Sequence, residues 1–351
     1  MNISLPRQLV VCIAVLLVPL CAHVMADTPA TGQYQVTKTI PIGLSGKWDY
    51  ATLDAQGQNL YVTRGKHTIV VDTASGKVVA DIPGGKGLHG VALVPDVGHG
   101  FITDGKGAAV IVFDLKTNAV LGTISGADDA DGIIYDPATA HVFVSCGDSS
   151  ELLPIAANVD PTSGQPDAAI DLGGKPEFLA SDAQGKIFVC IADMNQIAVV
   201  DAKAMKVIAK YSTLPGETPT GLSIDRDKGR LFIGCRNQKL IVMDAKDGSI
   251  VSDLPIGKGV DATAFHAGDA LASCADGTLT VARETSPGKF EVAQTLDTAP
   301  GARTMAVDSQ TGTIYLPTAD MIATTNPDGT MGKPKAVPGT FKIIVVSESA
   351  K

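Results

Sequence analysis

Seven polar side chains recur along this chain at nearly equal intervals. They are Asp49, His89, Asp131, Glu177, Thr220, Asp261 and Arg303, spaced 40, 42, 46, 43, 41 and 42 residues apart. Each stands five residues ahead of the residue that closes a short apolar run: Asp54, Val94, Asp136, Asp182, Asp225, His266 and Asp308. The residue just before each one is uncharged. An imidazole among carboxylates offers donors for a divalent metal ion, or counter-charge for an amine-bearing ligand. A polar residue kept at one register of every repeat is more than a solvated face requires.

Chain order says which of these groups can meet. If the repeats close into a ring, Arg303 falls between Asp261 and Asp49, and a structural ion-pair triad is expected there. His89, Asp131 and Glu177 are then contiguous with no cation beside them. These three form the candidate metal set, and the bland alternative is three solvated side chains at a wet channel mouth. Thr220 completes the candidate ligand-binding ring. Trp48, the single tryptophan, precedes Asp49 and either stacks on a ligand or packs beneath the loop. Arg236 and Asn237 follow a strand that ends on the same face and form the most recognition-like pair among the loops, with a turn role open for Asn237.

The repeat that positions these groups is about forty residues long. Clear copies begin DYATLDAQGQNLYVT at Asp49 and TGLSIDRDKGRLFIG at Thr220. Each holds four short runs rich in β-branched residues, separated by Asp, Gly and Pro turn signals. Four strands per repeat describe one blade of a β-propeller, and seven repeats predict an all-β, seven-bladed ring. The second strands read NLYVT, HGFIT, HVFVS, KIFVC, RLFIG, ALASC (270–274) and TIYLP. After TIYLP comes a Pro/Gly/Thr-rich stretch, 318–340, and then one last strand, FKIIVVS (341–347). The missing fourth strand of blade 7 is expected at the other end of the chain, because VTKTIPIG (36–43) matches the blade 5 strand IVSDLPIG (250–257).

Residues 1–26 read as a secretory signal: a basic start, an apolar core too short to span a bilayer, and a Val-Met-Ala cleavage site. Residues 27–351 then form a single propeller domain, periplasmic or secreted, with no stable membrane insertion after cleavage. The net charge of −9 disfavours nucleic acid as a partner, since that binding depends on Lys and Arg neutralising phosphates. Cys146, Cys190, Cys235 and Cys274 close second strands. Strand parity, with Cys274 aligned to Cys190, allows two arrangements: Cys146 beside Cys190 and Cys235 beside Cys274, or only Cys190 beside Cys235. The compartment permits disulfides, and buried thiols are the equal alternative. PGGKG (83–87) leads into another strand and so is no phosphate loop, and neither a GxSxG nor a HExxH motif occurs.

LYVT (60–63) followed by TIVVDTASGKVVADIPGG (68–85) resembles the YVTN-type repeat of exported bacterial seven-bladed propellers. GCRN (234–237), ADGTLTV (275–281), GARTMAVD (301–308) and PGTFKIIVVS (338–347) resemble the periplasmic branch of that family. The resemblance spans the mature chain and implies an exported propeller that binds a small molecule or a protein at its channel face. It implies no reaction. Two alternatives remain open by analogy: a metal-dependent hydrolase of lactonase type with Asp131 or Glu177 as ligand or base, and a quinone- or haem-associated accessory protein.

Overall fold

The second run of each repeat is short and mostly apolar, and it forms a deeply buried strand of its blade. In the computed structural model these strands are Asn59–Arg64, His99–Asp104, His141–Cys146, Lys186–Ile191, Arg230–Cys235, Asp269–Cys274 and Ile314–Thr318. The structure describes residues 32–326 and 328–349, together with Met1. The signal read over 1–26 therefore lies, but for Met1, outside the described residues. Among the described residues no helix is long and apolar enough to cross a membrane.

The chain from Gln33 forms one unit of seven four-stranded antiparallel sheets, a seven-bladed β-propeller. Seven apolar clusters hold it together, one at each blade interface. Leu60, Val62 and Ile69 of blade 1 pack on Ile343 and Val345 of blade 7, so the last blade meets the first. Blade 7 takes its outer strand from the N-terminal side: Tyr34–Pro41 pairs antiparallel with Lys342–Glu348. This is the expected closure, and it leaves no broken sheet edge at the seam.

Two details differ from the sequence reading. The stretch 318–340 contains a hairpin, Met321–Thr325 with Met331–Ala336. Its tight turn is marked by the Gly329 N–H donating to the Asn326 carbonyl, 2.9 Å, with Gly329 at φ 81. The blade 6 second strand begins at Asp269, one residue earlier than expected, because Ala267 and Gly268 (φ 48 and 96) make a two-residue turn of the hairpin type. Cys274 consequently aligns with Cys146 and Cys235, and Cys190 alone takes the other parity. Cys190 and Cys235 share the blade 4–5 cluster, while Cys146 and Cys274 sit in separate interfaces. All four thiols are free and buried. Burial pushes Cys146, Cys235 and Cys274 up to about 12, which keeps them as protonated packing groups.

Candidate functional site

Five of the seven ring positions sit at local departures from strand regularity. In blades 2 to 6 the pairing of first and second strands shifts register across His89, Asp131, Glu177, Thr220 and Asp261. A bulge adds an unpaired residue and re-aims its side chain, which turns these groups inward. Asp49 and Arg303 lie just ahead of the regular first strands Ala51–Leu53 and Ala306–Val307.

The residue after each ring position sets how closely the blades approach. At Gly90 a Cβ would come within 2.7 Å of Ile133 and 3.0 Å of the Asp131 carbonyl oxygen. At Gly132 it would meet Leu179 at 2.8 Å and the Glu177 carbonyl oxygen at 3.0 Å. Neither glycine can gain a side chain without moving a neighbouring first strand. Blades 1 and 4 carry Tyr50 and Phe178 there instead, and these rings meet edge-on with centroids 5.2 Å apart. The contact joins blades 1 and 4, and Tyr50 is buried.

The charged groups split into two linked sets. Arg303 donates from Nε to Asp261 (2.5 Å) and lies 3.4 Å from Asp49 through Nη2, so it sits between those two acids. Arg236 approaches Asp261 at 3.9 Å from the exposed side. His89 Nδ1 bonds to Asp49 Oδ2 at 2.7 Å and lies 3.4 Å from Asp131 Oδ1. Ligand atoms of Asp49, His89 and Asp131 all fall within 4.8 Å of one another. The compact metal-capable set is therefore Asp49, His89 and Asp131, rather than His89, Asp131 and Glu177. The imidazole turns back along the ring toward Asp49, while burial raises the Glu177 pKa against the opposing charges of Arg236 and Lys175.

Electrostatics mark Asp131 out. Its Oδ1 is buried with no hydrogen-bond donor. Burial, and then the charge of Asp49, push its pKa up to about 7. The hydrogen bond to Asp49 raises the His89 pKa despite burial. Tyr50 lies near four carboxylates, and burial followed by those charges drives its pKa well above the ordinary phenol value.

Hydroxyls that the sequence reading did not single out fix the ring backbone across blade interfaces. Thr63 donates to the His89 carbonyl (2.6 Å) and Thr103 to that of Asp131 (2.7 Å). Ser273 donates to the Arg303 carbonyl (2.6 Å) and Thr304 to that of Asp49 (2.8 Å). Their signal was a hydroxyl at the end of the second strand, or one residue after a ring position. Thr220 is buried and donates to the Val260 carbonyl at 3.0 Å, so its hydroxyl joins two strands. Asn237 accepts from the Glu217 N–H and donates to the Pro215 carbonyl, bracing a loop. Trp48 packs on Phe341 with ring centroids 5.5 Å apart.

No protein-family model matches the chain, and no curated protein sequence matches it. Among solved structures, the chain is similar to a chain of Kuenenia stuttgartiensis hydrazine synthase, with a TM-score of 0.66 and 13% identity over 79% of this chain and 94% of that one. At that identity the likeness shows the propeller fold alone.

Proposed function

We propose that this propeller is a binding module, working in the periplasm or outside the cell, that recognises a cationic ligand at its channel mouth. The reading rests on the sequence likeness to exported YVTN-type repeats and on the ring geometry. The observation that carries it is Asp131: a buried carboxylate oxygen without a donor, beside Asp49 and His89, in a site where acids outnumber bases. A cation entering there would satisfy the oxygen and favour the ionised carboxylate. One imidazole with two carboxylates suits a transition ion such as zinc or manganese better than calcium. A small organic amine is a second occupant, its charge facing the same carboxylates. No covalent step is part of this reading.

The test is metal analysis of protein purified without chelator, followed by calorimetry with zinc, manganese, calcium and a diamine such as putrescine. Saturable binding that Asp131→Asn weakens is the expected outcome. Absence of binding by every one of these cations sinks the proposal.

A further inference from the structure

Beside the acidic mouth lies a cavity of about 590 Å³ of opposite character, within the size range of small-molecule sites. The hairpin formed by Met321–Thr325 and Met331–Ala336 supplies one wall, and the loop before Asp49 supplies the other. Leu44, Trp48, Met321 and Val337 give it an apolar lining, and Lys47, Arg303, Lys333 and Lys335 bring positive charge. No carboxylate lines it among the described residues. Arg303 is matched by Asp49 and Asp261, but the three lysines form no ion pair among the described residues.

Two buried groups point the same way. Trp48 is only 8% exposed, yet its Nε1–H meets no acceptor. Behind Gly46 of the wall lies Arg64, 3% exposed and stacked 3.7 Å from the centre of the Phe341 ring. Its Nη2 donates to the Ser45 carbonyl at 2.7 Å, while Nε and Nη1 have no partner and no carboxylate pairs with it. Burial lowers its pKa to about 10, the cost of an uncompensated cation. A chain of net charge −9 thus keeps an unbalanced positive corner around an apolar hollow.

We propose that this cavity binds a small organic anion, a carboxylate or phosphate on an apolar body, with the head group held by Lys47, Lys333 and Lys335 and the body against Trp48, Met321 and Val337. The inference is independent of cation binding at the ring. Because Trp48 is the only tryptophan, its emission reports on this cavity directly.

The experiment titrates the purified protein with octanoate, octyl phosphate, 1-octanol and octylamine, following Trp48 emission and heat together. Octanoate or octyl phosphate should bind about tenfold or more tighter than octanol, as charge-assisted hydrogen bonds dictate, and the tighter of the two names the head group. The double variant Lys333→Glu/Lys335→Glu, at two exposed hairpin positions, should keep its melting temperature and lose about tenfold in anion affinity. Asp131→Asn should leave anion binding unchanged. Octanol binding as well as the anions, octylamine doing so in the Asp131→Asn variant, heat without a change in Trp48 emission, an unaffected lysine double variant, or no anion binding at all would each overturn the proposal.

Discussion

The acidic mouth and the basic cavity are neighbours with opposite chemistry, joined at Trp48–Asp49 and through Arg303, which lines the cavity while bonding to Asp261. The mouth is a product of repetition: one register position per blade, bulged in blades 2 to 6, brings Asp49, His89, Asp131, Asp261 and Arg303 to a shared centre. The cavity is a product of exception, since the hairpin of blade 7 has no counterpart in the other blades and the loop before Asp49, LSGKW, is two residues longer than the blade 5 counterpart KGV. Repetition supplies precise convergence, and departure from it supplies a separate wall whose charge can be set independently. Arg303 is the hinge of the comparison, because neutralising Asp49 and Asp261 is what keeps the two fields distinct.

The comparison breaks most severely if the ring opens. Removing the residues up to Pro41 strips the outer strand from blade 7 and exposes the apolar seam around Ile343. The melting temperature should fall by roughly 10 °C or more, with both sites lost together. An unchanged melting curve would show that the seam does not hold the ring. Tyr50→Ala is more selective. It removes a buried ring and should cost about 3–5 kcal/mol in urea unfolding, weakening cation binding while anion binding persists under native conditions.

Asp131→Asn should lower divalent-ion affinity by about ten- to a hundredfold and leave the cavity untouched. The pH dependence sharpens this. Because Asp131 titrates near 7 and His89 is raised, metal affinity should climb as pH rises through neutrality. Stability should run the other way. The Asp131 pKa is higher folded than unfolded, so its proton-linked stabilisation is complete below the ordinary carboxylate range and is lost as pH climbs through about 7. Melting temperatures measured from pH 4 to 8 should show that decline in the parent protein and less of it in Asp131→Asn. The smallest effect belongs to Thr103→Val, which removes the hydroxyl beneath the Asp131 carbonyl. It should cost about 1 kcal/mol and loosen the mouth without touching the cavity, as paired calorimetric titrations would reveal.

The fold was legible because every blade repeats the same four runs, and the match of the 36–43 segment to a fourth strand revealed the closure. Blade 6 slipped by one residue because its Ala267–Gly268 turn is shorter than its counterparts, a conformational matter that composition does not register. The placing of Arg303 between Asp261 and Asp49 was readable from spacing and blade order. The direction in which His89 would turn was not, since chain order places it equally beside Asp49 and Asp131 and only side-chain packing decides. The basic cavity escaped notice because its lysines are scattered in sequence, and the stretch that carries two of them reads as loop until the hairpin places it against Trp48.

The seam in blade 7 also governs how the protein comes into being. The Thr37 hydroxyl bonds to the Val345 carbonyl across 308 residues of chain, so the first strand of the propeller finds its partner in the last strand of the ring. Such extreme contact order slows folding. A nascent chain must hold an unsatisfied strand edge until all seven blades have been made. Chaperones that shield exposed strands should therefore engage this polypeptide early and release it only when the strand Lys342–Glu348 has been made.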